Sequence, residues 1–248
     1  MRYIIQLSFK GTHFHGWQKQ VQVKTVQQEL DEKLSLMLGE NIETLGCGRT
    51  DAGVHAKQFF AHFDSQKNID TANLLFRLPK FLSRDIAIQT IQKIDETFHA
   101  RFDADYRVYE YWISQKANPF LNDFSWFVYG DLNINVMNDA AKILLSHKDF
   151  ECFSKVHTDV NNFLCDITFA EWEMLNGSLV FTIKANRFLR NMVRAIVGTL
   201  IEVGREKMTI EQFGKILESK NRSEAGQSVP AHGLFLSEVH YPNLVIST

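Results

Sequence analysis

Residues 3–9 alternate without interruption: Tyr3, Ile5, Leu7 and Phe9 project to one side of an extended chain, and Ile4, Gln6 and Ser8 to the other. A period of two over this length marks a half-buried β-strand and excludes an all-helical start. Lys10 to Gln22, with Gly11 and Gly16 among mixed aromatic and polar residues, reads as a loop. Thr25 then opens a helix. Gln28 stands three residues on in a capping-box pattern, Val26, Leu30, Leu34 and Leu38 form an apolar stripe, and Gly39 ends it.

The rest of the chain keeps mixing the two periods. Short strands are expected at 42–47, 58–63, 86–91 and 106–113, with a helix over 71–78 stopped by Pro79. A helix over 136–146 follows, then strands at 166–175 and 179–185. Helical periodicity runs from 187 to 202, Thr209 opens another helix, and a strand closes the pattern at 234–240. No stretch rich in Pro, Gly or Ser divides the chain. The expected class is α+β, with halves sharing a mostly antiparallel sheet flanked by helices and loops. The halves are 1–104 and 105–248, with the active-site cleft expected between them.

The 248 residues are 45% hydrophobic and 23% charged, an ordinary balance for a globular protein that needs no disulfide or metal staple. Cys47, Cys152 and Cys165 are odd in number and form no CxxC pair, which suits buried thiols in a reducing cytoplasm. Met1-Arg2-Tyr3-Ile4-Ile5 carries no secretory pattern. The longest apolar stretches, such as Ala195 to Ile201, fall far short of the ~20 residues that span a bilayer. A cytoplasmic protein without a membrane partner is expected. The net charge of −2 means that any nucleic-acid surface must be a local concentration of cations.

Three segments are suited to chemistry. In Gly46-Cys47-Gly48-Arg49-Thr50-Asp51-Ala52-Gly53-Val54-His55 the glycines prevent regular structure and let a ligand come close to the backbone. A carboxylate two positions from a cation is suited to stay ionised in a partly dry cleft. From Lys184 to Arg194 the chain holds Lys184, Arg187, Arg190 and Arg194 and no acid. On a continuous helix the three arginines fall within about 60° of arc, a basic stripe for phosphates or for a buried carboxylate. In Tyr106-Arg107-Val108-Tyr109-Glu110-Tyr111, strand geometry puts Tyr109 and Tyr111 beside Arg107, an arrangement that suits base stacking. His13-Phe14-His15 lacks a carboxylate at matching spacing, and no phosphate-loop or dinucleotide fingerprint is present, so neither metal nor cofactor is expected.

Taken in order, these segments resemble the bacterial tRNA pseudouridine synthase A family. The resemblance is carried by Gly16-Trp17-Gln18, Thr25-Val26-Gln27, Gly48 to Ala56, Phe98-His99-Ala100-Arg101-Phe102, Tyr109-Glu110-Tyr111, Asn186 to Arg194, and Gly233-Leu234-Phe235-Leu236. It implies a fold of two pseudo-symmetric halves, a homodimer, and isomerisation of uridine to pseudouridine at positions thirty-eight to forty of the tRNA anticodon stem-loop. No DNA partner or cofactor is implied. The family's nucleophilic aspartate maps to Asp51, the arginine of its loop to Arg49, its active-site tyrosine to Tyr109 and its late-helix arginine to Arg194. Arg187 and Arg190 are candidate RNA contacts. Lys10 and Asp166 depart from the family's usual acidic and basic positions.

Pseudouridine formation oxidises nothing and transfers no group to a second molecule, so a chain without cofactor motifs suits it. Three other classes stay open at this level. A non-catalytic RNA-binding module would use the same cations and aromatics without needing Asp51. A glycosidase would need a second acid paired with Asp51. A synthase acting on other RNA uridines would share every motif.

Overall fold

The computed structural model describes residues 1–155 and 162–246, and its chain divides into two compact units, Met1–Asp105 with Leu236–Thr248, and Tyr106–Phe235.

In the first unit, β1 (Arg2–Phe9) lies between β3 (His55–Asp64) and β4 (Ile86–Ile94), antiparallel to both. The strand β9 (Leu234–His240) follows β3 in the sheet order, and the short β2 (Leu45–Gly46) pairs antiparallel with β3. The register sets Tyr3 opposite Phe63 and Leu7 opposite Phe59, and the Tyr3 and Phe63 rings stack with centroids 5.5 Å apart. Cross-strand aromatic and apolar pairs of this kind lock a register, because a slip of one residue would turn the apolar face outward. Ile4 is as buried as Ile5, so β1 is covered on both sides at its start rather than half-buried throughout.

The helix α1 (Val26–Leu38) begins where expected. The Thr25 hydroxyl accepts from the Gln28 N–H at 3.3 Å, and Gly39 closes the helix with a left-handed residue. Only half of the capping box forms, because the Gln28 side chain reaches Glu32 instead. The helix α2 (Thr71–Arg77) gives way at Leu78–Lys80 to one turn of 3-10 helix that contains Pro79. The segment Phe98–Phe102 is held from three sides: Arg2 donates to the Phe98 carbonyl, His62 Nδ1 accepts from the Ala100 N–H at 3.1 Å, and the Tyr241 hydroxyl donates to the Ala100 carbonyl. Burial, then the charges of Arg2 and His99, push the His62 pKa down to about 4, which keeps Nδ1 free to accept.

In the second unit, β5 (Tyr106–Ser114) pairs antiparallel with β8 (Ser178–Ala185), which pairs antiparallel with β7 (Ile167–Leu175). A two-residue strand, β6 (Trp126–Phe127), joins β5 in parallel. The helix α3 (Ile134–Ser146) grips β7 through Asn138, whose side chain accepts from the Trp172 N–H and donates to its carbonyl at 2.7 and 3.0 Å. That pair replaces the ladder bonds an edge strand lacks. The helix α4 (Met192–Gly204) is apolar nearly all round and correspondingly buried. The helix α5 (Ile210–Ser219) carries a complete capping box between Thr209 and Gln212.

The continuous helix expected over 187–202 does not form. The helix begins only at Met192, behind Asn191 in the left-handed region at φ 66°. The Arg190 carbonyl, which a helix would use internally, accepts instead from the Lys155 N–H at 3.0 Å. Arg187 and Arg190 therefore precede the helix, and the stripe of three arginines on one helical face is withdrawn.

Each antiparallel ladder with its helices makes the chain α+β, as expected. The three cysteines form no disulfide and are buried. Burial raises the Cys152 thiol to about 12 and the Cys165 thiol to about 11, so both stay neutral. Among the described residues no helix is long and apolar enough to cross a membrane.

Candidate active site

Asp51 sits half-buried at the head of a tight turn that leads into β3. The Val54 N–H donates to the Asp51 carbonyl at 3.1 Å, and the third residue of the turn, Gly53, has φ 80°. A type II turn requires that conformation, which favours glycine there. The turn reverses the chain within four residues and leaves the carboxylate at its first corner. Arg49, two positions earlier, is exposed, whereas the intervening Thr50 is buried.

A second stretch of irregular chain, Gly11 to Lys19, braces this loop. The Gly53 N–H donates to the Phe14 carbonyl at 3.2 Å and the Trp17 N–H to the Thr50 carbonyl at 3.4 Å. The Gly11 N–H donates to Nδ1 of the buried His55 at 3.0 Å. A ring nitrogen that accepts carries no proton, so His55 holds the segment as an acceptor at that atom. Trp17 is buried and stacked on Phe59 of β3 at 4.2 Å between ring centroids. The motifs Gly16-Trp17-Gln18 and Gly48 to Ala56 are therefore two faces of one supported loop pair.

The remaining candidates lie in the second unit. Tyr109 of β5 is half-buried, its ring edge-on to Phe188 at 5.1 Å and 85°. Tyr111, two residues along the strand, is fully buried and donates its hydroxyl to the Pro230 carbonyl at 2.8 Å. Burial raises its pKa well above the usual phenol range, and the charge of Arg194 opposes that only in part, so Tyr111 is a neutral donor.

Arg194 is in the first turn of α4, where a cation opposes the helix dipole. Its position is therefore not explained by helix stability. Its Nε donates to the Val229 carbonyl at 2.7 Å, and the Val229 N–H returns a bond to the Arg194 carbonyl. The segment around Val229 is itself fastened: Arg222 and Asn191 both donate to the Ser228 hydroxyl, and the Gly226 N–H donates to the Thr199 hydroxyl on α4. No periodicity marks 222–230, and only Gly226 and Pro230 flag it as a loop, so its part in holding Arg194 is invisible in the sequence.

Arg187 donates to the Asn162 side chain at 3.3 Å, and Arg190 is exposed one residue before Asn191. Nearby, the Lys184 ammonium lies 3.5 Å from the Tyr106 ring centroid and Arg107 donates to the Asn186 carbonyl. Asp166, the departure noted in the sequence, forms an ion pair with Lys148, and its backbone N–H donates to the Asn186 side-chain oxygen. Arg107 and Lys184 thus lie at the paired ends of β5 and β8, and none of these cations lies on a helix face. Lys10, the other departure, is fastened through its backbone N–H to the Asp85 carbonyl.

The family model described as tRNA pseudouridine synthase matches residues 6–103 and 140–242. Curated relatives run nearly end to end. The tRNA pseudouridine synthase A of Bacteroides thetaiotaomicron is 46% identical, covering 99% of this chain and 93% of its own. That of Parabacteroides distasonis is also 46% identical, covering 97% and 96%, and that of Bacillus pumilus is 36% identical, covering 96% and 98%. The first matched block contains the braced Asp51 loop and the second contains Arg194 with the segment that holds it. The chain belongs to the tRNA pseudouridine synthase family.

Proposed function

We propose that this protein isomerises uridine to pseudouridine in tRNA, at positions thirty-eight to forty of the anticodon stem-loop, with Asp51 as the nucleophile, and that it works as a homodimer. The observation that carries the reading is Asp51 at the corner of a braced turn, within a family match that spans most of the chain.

The reaction breaks the bond from ribose C1′ to uracil N1, turns the base and joins C1′ to C5. The proton on C5 is lost and N1 gains one, so atoms balance without a second substrate. An anionic oxygen held at the sugar and base is what this chemistry asks of the protein, and Asp51 supplies it. Arg194, held at its Nε by the Val229 carbonyl, is assigned to substrate binding. The target base has to leave its stack, at a cost of a few kcal/mol, and Arg49 is the exposed side chain assigned to the vacated space. The half-buried ring of Tyr109 is assigned to stack on the uracil, and Arg187 and Arg190 to the phosphates.

The test is tritium release from tRNA carrying uracil labelled at C5, joined to a map of pseudouridines in tRNA from cells with and without the protein. Release, with sites lost at thirty-eight to forty, is the expected result. Sites lost elsewhere would overturn the positions and keep the reaction, and binding without release would overturn the reaction.

A further inference from the structure

We infer that Gln27 is a positioning residue for Asp51, its amide spanning the two segments of chain that between them set the height of the catalytic loop. The inference rests on the reading of Asp51 given above.

The catalytic loop is entered from Thr44, through β2 and Cys47, and is braced by the segment 14–19. Both supports have little regular structure of their own, so something must hold them in register. The N-terminus of α1 does this. Its first N–H groups have no partners within the helix. The Val26 N–H goes to the Gly16 carbonyl at 3.2 Å and the Gln27 N–H to the Trp17 carbonyl at 3.0 Å. Those are the residues beside Thr50.

The Gln27 side chain extends the grip in both directions. Oε1 accepts from the Lys19 N–H at 2.9 Å and from the Gln18 side chain at 3.1 Å, and Nε2 donates to the Thr44 carbonyl at 2.6 Å. Thr44 is fully buried, and its N–H and hydroxyl both donate to Oδ1 of Asp31, one turn further along α1. Asp31 thus holds only the Thr44 side, whereas Gln27 joins Thr44 to Gln18 and Lys19. A glutamine that is only 7% exposed in the first turn of a helix, with three of its four bonding positions used, is not there for helix propensity.

The consequence is geometric. Without the amide the two supports can shift against each other, and a displacement on the order of 1 Å at a reacting group can cost ~100-fold in rate. The Gln27 amide is buried and its bonds go to this chain, so affinity should not follow.

Gln27→Met keeps volume and removes every bond of the amide, and Gln27→Glu keeps the acceptor to Lys19 but loses the donor to Thr44. Each variant would be assayed for single-turnover pseudouridine formation with enzyme in excess, for tRNA Kd by filter binding, and for folding by near-ultraviolet circular dichroism at the assay temperature. Leu36→Ala, an exposed position on the same helix, is the control and should match the wild type. The expected result is a rate lowered about 10- to 100-fold in Gln27→Met with Kd within about threefold. A folded variant with the wild-type rate, or a loss explained by weaker tRNA binding, overturns the inference. Should Gln27→Met not fold, Gln27→Glu is judged by the same two outcomes. A wild-type protein that forms no pseudouridine overturns the functional reading instead.

Discussion

Gly16 passes so close to Thr50 that a β-carbon on it would lie 2.2 Å from the Thr50 carbonyl oxygen. The approach lets the segment that ends in Trp17 lie directly against the residue before Asp51. Gly16 also has φ 82°, so a side chain meets both a clash and an unfavourable backbone. Overpacking costs about 1–3 kcal/mol and a left-handed backbone about 1–2 more. Gly16→Ala is expected to lose about 2–5 kcal/mol in urea denaturation and most of its activity. Stability within ~0.5 kcal/mol of the wild type would show that the two segments are not in tight contact.

Asp51→Asn is nearly isosteric, and its turn is held by backbone bonds that the substitution leaves alone. It should fold and keep most of its tRNA affinity. An amide is a poor nucleophile and a poor base, so tritium release should fall by at least ~1,000-fold. Asp51→Glu keeps the charge but moves it by about one bond length, and a loss of ~100-fold or more is expected. Near wild-type release from Asp51→Asn would remove the carboxylate from the chemistry.

Tyr109→Phe retains the ring that packs against Phe188. Stability and tRNA affinity should stay within about twofold of the wild type, because the ring face is preserved. The rate reports the hydroxyl alone: a fall of ~10-fold or more assigns it to proton movement, and an unchanged rate leaves Tyr109 a stacking role.

Asp31 offers a test by pH. Its carboxylate is almost fully buried, and desolvation lifts its pKa to about 6 in spite of two bonds from Thr44. The folded state therefore holds the proton more tightly than the unfolded chain does. This contribution to stability is fully present below about pH 4 and is lost as pH rises towards 6. A carboxyl raised that far above its ordinary value is linked to roughly 2–3 kcal/mol of stability. Asp31→Asn does not titrate, so the wild type should lose about that much stability relative to the variant between about pH 4 and pH 7 in urea denaturation. A difference that is flat with pH would mean that Asp31 titrates normally.

The proposed homodimer is tested by mass in solution. Light scattering at assay concentrations should give twice the 28.7 kDa of one chain. A mass of one chain in protein that is active would overturn it.

Local pattern determined much of this molecule. The alternation in β1, the Thr25 and Thr209 caps, the turn ahead of β3 and the close of β9 are effects of neighbouring residues on backbone geometry, so they can be read along the chain. The irregular loop that carries Asp51 was legible for the same reason, because its glycines and Asp51 form one short motif. The start of α4 was not. Helical periodicity runs on through Arg187 and Arg190, whereas the bond from Lys155 to the Arg190 carbonyl and the left-handed Asn191 mark where the helix gives way. The support of Arg194 by Val229, the return of Leu236–His240 to the first unit and the span of Gln27 from Lys19 to Thr44 belong to the same class. Each is a hydrogen bond or strand pairing between residues distant in sequence or lying in irregular chain. Such contacts impose no period on the residues around them, and only the folded chain brings the partners together.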